Sequence, residues 1–502
     1  MSVNECTHLV LKFGGTSVAG AARIRAVAEL VLAQSASGPP VVVVSAMGST
    51  TDTLVAAAQA AQQGEAKVWR ALLESIEQEH LAACAGLFTA GPTLQSLERE
   101  VRVHLAHVRD LCRAAEGGHR LSGAESDELC STGELLSANL VAHAISTLGQ
   151  AAMAVDAKEI LQTDDRFGRA RVIVPTSQRQ IRDRLEPLLH DGVVPVVTGF
   201  RGATAAGECT TLGRGGSDST ATIIGALLPA AEVWILTDVA GVMTADPRLV
   251  ANAQVIPFLS YREALELAFF GARVLHPSSM ELPQRNQVKV RILSSFDTTS
   301  GGTVIGPQVA SRPGVRAVVD TRDARLYTVG GVDGVAFTKV GSVVLEGLEA
   351  EAIPTLMVTQ SSADNVICFA VTGEHGPRVR ELLVELRAQT GVLGEFEETA
   401  QAGIVVAVGD SMRVTPGIAA KLFSALAERG INVIAISQGS SELSVSAAVR
   451  SADVGVAVTA IHDAFQLGKW TGCRMASAIE PDARGPRLEP QDDRPPPGRR
   501  MS

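Results

Sequence analysis

From about residue 8 to residue 305, short aliphatic and β-branched runs alternate with longer stretches of helical period. Leu9-Val10-Leu11 begins the series and a helical pattern from Ala21 to Leu32 follows it. Val41 to Ser45, Ala152 to Val155, Val193 to Thr198, Glu232 to Leu236 and Val288 to Ile292 are apolar with little in/out alternation. That is the pattern of parallel strands covered on both faces. Helical spacing between them predicts βαβ units and a three-layer αβα sandwich around a mainly parallel sheet. Residues 66–115 read as helix nearly throughout, with Glu, Arg and His spaced among Leu and Ala. They are expected to form a helical insertion that serves as scaffold and carries no chemistry of its own.

The pattern changes after Pro313-Gly314, where short strands and single helices replace the βα alternation. One copy runs Leu326 to Val329, a helix from about Gly341 to Glu351, Leu356 to Ser362, then Val366 to Val371. A second runs Ile404 to Val408, a helix from Pro416 to Arg429, Val433 to Ser441, then Leu443 to Val449. Gln360 and Gln438 stand in equivalent places about 78 residues apart, which implies a duplicated βαββ-type module and not a solenoid repeat. The expected domains are therefore 1–310, 316–395 and 400–466. The polar segment 467–502, with Pro495-Pro496-Pro497-Gly498-Arg499-Arg500, is expected to be a disordered tail.

Composition narrows the class. A chain of 502 residues exceeds what one core usually serves. The net charge of −10 argues against a nucleic-acid partner, which would ask for a basic face. Seven scattered cysteines, with no C-x-x-C pair, suit reduced thiols better than a disulfide framework or a zinc site. Neither a signal peptide nor a membrane span is indicated, and a cytoplasmic protein is expected.

Four glycine- or hydroxyl-rich segments carry candidate chemistry. Lys12-Phe13-Gly14-Gly15-Thr16-Ser17 lies between a strand and a helix, where bare N–H groups and a helix dipole receive an anion. It is not a P-loop, because the lysine precedes the glycines and the G-x-x-x-x-G-K-[ST] spacing is absent, and it lacks the dinucleotide G-x-G-x-x-G. Thr210 to Ala221 contains Gly213-Arg214-Gly215-Gly216-Ser217-Asp218. Its glycines allow close approach, Arg214 can grip a carboxylate with two prongs, and Asp218 can orient a lysine. Ser45 to Asp52 supplies hydroxyls after a strand, and Thr237 to Arg248 leaves another strand end. Gly133-Glu134 heads a helix, where an acid also simply complements the dipole.

Taken together, K-F-G-G-T-S-V, V-V-S-A-M-G with Thr51-Asp52, T-T-L-G-R-G-G-S-D, T-D-V-A-G-V-M-T-A-D-P-R and Phe270 to Pro277 resemble the motifs of aspartate kinases, members of the amino acid kinase superfamily. The duplicated module resembles that family's tandem ferredoxin-like ACT domains. The second copy is most similar to the kinase half of bifunctional aspartate kinase–homoserine dehydrogenases. No dehydrogenase half is expected, because few residues follow Ile461.

The resemblance implies transfer of the γ-phosphoryl group of ATP, with Mg²⁺, to the side-chain carboxylate of L-aspartate. By it, Lys12 and Asp218 are catalytic. Ser45, Thr51, Glu134 and Arg214 hold aspartate. Lys12, Gly14, Gly15, Thr237, Asp238, Arg248 and Arg273 hold ATP, no residue is a direct metal ligand, and Gln360 and Gln438 grip an effector amino acid, threonine or lysine. ACT pairing implies a homodimer or higher oligomer. Arg273 stands where the family usually has lysine, Ser219 where tyrosine is common, and Ala363-Asp364 where Ser-Glu follows in the first ACT copy. An amino acid sensor with a vestigial kinase domain is the alternative, and the presence of Lys12, Arg214 and Asp218 speaks against it.

Overall fold

The computed structural model describes residues 8–271, 276–307, 314–361, 366–439 and 443–469. In the first half the strands are β1 (Leu9–Phe13), β2 (Val41–Val44), β3 (Ala152–Val155), β4 (Val194–Thr198), the small ribbon β5 (Arg201–Ala203) with β6 (Cys209–Thr211), β7 (Glu232–Thr237), β8 (Phe258–Ser260), β9 (Lys289–Ser294) and β10 (Thr303–Gly306). Eight of them form one sheet in the order β3-β4-β2-β1-β7-β9-β10-β8. Every neighbouring pair is parallel except β9 with β10. The five apolar runs form the expected strands to within two residues. The short strands β8 and β10, and the antiparallel step, carry too few apolar residues to be read from pattern.

Helices α1 (Ala21–Gln34), α2 (Thr50–Gln62), α3 (Ala66–Leu87), α4 (Pro92–Glu116), α5 (Gly123–Cys130) and α6 (Thr132–Thr147) precede β3; α7 (Val174–His190), α8 (Gly216–Leu227), α9 (Tyr261–Phe269) and α10 (Glu281–Asn286) come later. One core joins Leu11, Phe13, Val42, Val44, Val194 and Val196 of the sheet to apolar stripes of α1, α2, α3, α4 and α6. The stripe of α4, Leu97, Val101, Leu105, Val108 and Cys112, recurs at helical spacing and is buried. The α3–α4 hairpin is thus packed scaffold. The opposite layer contains α8, buried on nearly all sides, so close to the sheet that a Cβ on Gly225 would lie 2.2 Å from Val233 Cγ2 and 3.8 Å from Val10 Cγ2.

The second half is a six-stranded sheet built from β11 (Ala317–Gly331), β12 (Met357–Ser361), β13 (Val366–Thr372), β14 (Leu393–Val408), β15 (Ala435–Gln438) and β16 (Ser444–Arg450), in the order β12-β13-β11-β14-β16-β15. Its helices are α11 (Phe337–Ala350), α12 (Gly376–Thr390), α13 (Ile418–Glu428) and α14 (Val454–Ala464). The sequence pattern revealed α11 and α13 but not α12 and α14, so each module is larger than βαββ. The two long strands are shared. Residues 324–330 of β11 pair with β13, whereas 317–321 pair with 404–408 of β14, which in turn pair with β16. The strand flanking the second module therefore comes from the chain ahead of the first, an exchange that a linear repeat does not reveal.

The two halves meet through buried polar contacts. Glu263 closes the capping box of α9 with Ser260, ion-pairs with buried Arg316 at 3.4 Å, and accepts the Asp410 N–H at 3.0 Å. Thr244 meets His462 of α14 at 3.0 Å, and its carbonyl accepts the Val318 N–H at 2.8 Å. No helix among the described residues is long and apolar enough to cross a membrane. The described cysteines (Cys84, Cys112, Cys130, Cys209 and Cys368) are free thiols.

Candidate active site

Alternation along β1 decides where its lysine goes. Leu11 and Phe13 enter the core under α1 and α2, so Val10 and Lys12 point to the α8 face. There Asp218, in the first turn of α8, places Oδ1 2.5 Å from Lys12 Nζ. Both side chains are largely buried, at 10% and 14% exposure. An ammonium so placed without its counter-ion would be costly. The strand order puts this pair at the sheet's switch point: the chain runs from β1 to β2, out to the edge strand β3 and back to β4, then crosses to β7 on the other side of β1. Crevices at the carboxyl ends of strands beside such a point are where open α/β sheets bind ligands.

The loop after β1 is a 3₁₀ turn, Gly15–Val18. The amide of Gly14, expected to face an anion, instead donates to Leu236 O at 3.2 Å and ties β1 to the end of β7. The donors that head the turn are Gly15 and Thr16, whose N–H groups have no partner within a helical turn. Gly15 is required by close approach: a Cβ there would lie 2.8 Å from Ala46 O and 2.9 Å from Gly48 O, while Gly48 N–H donates to Gly15 O at 3.0 Å. Gly15→Ala must push the β1 and β2 loops apart, at a cost of about 1–3 kcal/mol. A drop in melting temperature is expected together with weaker ATP binding by calorimetry; an unchanged affinity would show that the loop is no phosphate site.

Glu134 enters from α6. Gly133 before it lies flat against the β2 loop, where a Cβ would sit 2.6 Å from Ala46 Cβ and 3.0 Å from Thr50 Cγ2. Glu134 itself is 3% exposed, and its Oε2 has no hydrogen-bond partner. Burial pushes its carboxyl up to about 8, against the opposing pull of the Ala46 N–H and of the charges on Arg201 and Lys12. A buried carboxyl with an idle oxygen can receive a cationic group, which would favour its ionised form. Ser45, half-buried at the end of β2, and Thr51, in the first turn of α2, line the approach to this loop.

The glycine-rich segment turns on Gly213 and Gly215, at φ +75° and +72°, a conformation that glycine adopts without penalty. A Cβ on Gly215 would also meet His276 Cβ at 2.5 Å. Arg214 is exposed between them. His276 is held below its ordinary range by burial and then by the Arg214 charge, with Asp218 pulling the other way, so these three lie together. At the end of β7, Thr237 Oγ1 donates to Asp238 Oδ1 at 3.1 Å. Thr237 O accepts the Ser295 N–H at 2.7 Å, and Ser295 reaches Ser17 Oγ at 2.8 Å.

The structure thus brings Lys12, Gly15, Ser45, Thr51, Glu134, Arg214, Asp218, Thr237 and Asp238 to the strand ends and adjoining helix starts. Arg248 is elsewhere engaged: exposed, it pairs with Asp246 at 2.8 Å, beside Arg322 of β11. Gln360 and Gln438 lie on the outermost strands β12 and β15 of the second sheet. Arg273, Ala363-Asp364, residues 440–442 and the expected tail from residue 470 onward fall outside the described residues. Pattern reading missed Arg201, whose only signal is a charge that follows the apolar run Val193 to Thr198 within one turn. Among the described residues no cluster of three or more His, Cys, Asp or Glu could hold a metal. A Mg²⁺ ion that keeps several waters and rests on one carboxylate and the substrate phosphates needs no such cluster.

The amino acid kinase family model matches residues 8–294, and an ACT domain model matches residues 405–465. Bifunctional aspartokinase/homoserine dehydrogenase 2 of Zea mays is 32% identical over 484 residues, covering 92% of this chain and 51% of that protein. The chain therefore spans about half the length of the bifunctional relatives it matches. Among solved structures, E. coli aspartokinase III in complex with aspartate and ADP (R-state) aligns at 29% identity and TM-score 0.78, over 91% of this chain and 99% of that one. The same enzyme with lysine and aspartate (T-state) aligns at 30% identity and TM-score 0.75, with the same coverage.

Proposed function

The chain belongs to the amino acid kinase family, and from that premise we propose that it is an aspartate kinase, transferring the γ-phosphoryl group of ATP to the side-chain carboxylate of L-aspartate. The products are ADP and 4-phospho-L-aspartate, the latter at the head of lysine, threonine and methionine biosynthesis. One observation carries the reading: a lysine–aspartate pair suited to phosphate, between β1 and α8, and a buried, half-satisfied glutamate suited to an ammonium, on α6, stand beside the loops that leave β1 and β2. The aspartate and ADP held by E. coli aspartokinase III, a structural relative over nearly the whole chain, support it.

A carboxylate is already a nucleophile, so no strong base is needed. The work is to bring two anions together and to stabilise charge on the group in transit. Glu134 takes the ammonium of aspartate, Arg214 a carboxylate, and Ser45 and Thr51 complete the cradle. That leaves the side-chain carboxylate free to point at Lys12. Lys12, held by Asp218, and the amides heading the Gly15–Val18 turn face the phosphates. Thr237 and Asp238 border the nucleotide on the β7 side, and Arg248 reaches it only by leaving Asp246. Mg²⁺ bound with ATP supplies further positive charge on the phosphate oxygens.

The second sheet is read as a pair of ACT modules through which lysine or threonine, gripped by Gln360 or Gln438, lowers activity. The lysine in the T-state structure of E. coli aspartokinase III supports an amino acid effector. We place the enzyme in the cytoplasm, as a homodimer or higher oligomer through its ACT modules. With Mg·ATP, hydroxylamine should trap an acyl phosphate as hydroxamate with aspartate and not with glutamate, at a rate that lysine or threonine reduces. Turnover of glutamate or carbamate in place of aspartate would refute the reading.

A further inference from the structure

We infer that Arg201 is a positioning residue for the amino acid half of this site, holding Glu134 where an ammonium can meet it. The inference rests on the functional reading above. Arg201 opens β5 and is 1% exposed. Its Nη1 donates to Ser131 O at 3.2 Å and to Ser131 Oγ at 3.0 Å. Nε donates to Asp156 Oδ1 at 3.1 Å, and Nη2 to Glu128 Oε1 at 2.9 Å and Asp156 Oδ2 at 3.3 Å. A guanidinium has five N–H donors, and these bonds use all of them. Arg201 therefore has nothing left for a substrate.

Its partners mark what it holds. Ser131 occupies the N-cap position of α6, three residues before Glu134, where α5 passes into α6. Asp156 follows β3 and is bonded by Thr198 at the end of β4. Glu128 lies on α5 and also takes Lys158 Nζ at 3.0 Å. Arg201 and Lys158 balance Asp156 and Glu128 in charge, so the cluster is neutral as a whole. Buried ionic clusters seldom add stability over apolar packing of the same volume; what this one supplies is direction. Just before Arg201, Phe200 holds φ at +70° while Arg201 N–H closes back on Gly199 O at 2.7 Å. That is a γ-turn of the rare positive-φ kind, and strain of this sort persists only where its surroundings enforce it. The guanidinium cluster at the next residue does so.

The test is Arg201→Met in the full-length protein, with Arg201→Lys as rescue. Arg201→Met should raise KM for aspartate at least about tenfold while KM for ATP stays within about twofold, and Arg201→Lys should recover part of the loss. The ionisable groups facing Glu134 are Arg201 of β5, Lys12 of β1 with its Asp218 partner on α8, and Cys130 of α5. Losing the Arg201 charge should therefore move the midpoint of the pH profile of aspartate KM to higher pH; Arg201→Lys should leave it in place. A purely structural role would lower kcat and raise both KM values in parallel, and that outcome overturns the proposal, as does a folded Arg201→Met with unchanged KM for aspartate. If Arg201→Met does not fold, Ser131→Ala, which removes one acceptor and no charge, should still raise aspartate KM about threefold; no change overturns the proposal. Wild-type protein inert toward aspartate would overturn the functional reading and the positioning role with it. Active wild type with an unaffected variant overturns the role alone.

Discussion

If the chain is an aspartate kinase, Lys12→Ala should lower aspartate-dependent turnover by about a thousandfold, the upper range for deleting one preorganised group at a developing charge. The lysine is fixed before substrate arrives: β1 alternation aims it at α8, and Asp218 holds Nζ at 2.5 Å. No reorganisation is then required when charge builds on the transferring phosphoryl group. The same pairing complicates a single substitution. Without Lys12, Asp218 is left 14% exposed with its counter-ion gone, and breaking a buried pair is destabilising. The double variant Lys12→Ala/Asp218→Asn separates the two effects. It should regain most of the lost melting temperature yet remain as inactive as Lys12→Ala alone, because Asp218 acts through the lysine and has nothing to position once it is gone. Recovery of turnover together with stability would mean that Lys12 only holds the loop.

How far the sequence foretold this depends on what each feature asks of its neighbours. Val41 to Val44 are each 0% exposed, so a run of four valines is enough to call a strand covered on both faces. The glycine segments were legible because glycines between a strand and a helix are themselves the mark of a close approach or an anion site. At Gly15, Gly133 and Gly215 a Cβ would lie under 3 Å from neighbouring backbone or side-chain atoms, so a larger residue forces a shift. What stayed hidden depends on contacts between distant segments. Gly14 was expected to present its amide to an anion, but only the β1–β7 pairing reveals that Leu236 O takes it. Arg201 draws on residues 45 to 73 positions away. The sharing of β11 between two modules is a matter of pairing register, which carries no trace in a repeat of about 78 residues.

Glu134→Gln should trade binding for stability, and the direction of each change follows from one group. In the folded protein burial raises the Glu134 carboxyl from 4.5 to about 8. A raised folded value means that its stability contribution is complete below the unfolded value of 4.5 and is lost as pH climbs through 8. The penalty at full ionisation is on the order of a few kcal/mol. Glutamine has the same shape and no charge to desolvate, so the variant should be nearly as stable as wild type at pH 5 and progressively more stable toward pH 8.5 by thermal melt. The idle Oε2 position, where an amide NH₂ would also lack a partner, reduces the gain without reversing it. Aspartate acts in the opposite direction. Its ammonium favours the carboxylate form, so wild-type affinity should rise by up to about tenfold per pH unit below 8 and level off above it, with protons released on binding. In Glu134→Gln that pH dependence should vanish. KM for aspartate should be about a hundredfold higher, as expected for removing one partner of a buried charge pair, with KM for ATP little changed. Melts across pH with and without aspartate read both effects at once. A variant that keeps the pH dependence of aspartate binding would show that the ammonium is held elsewhere.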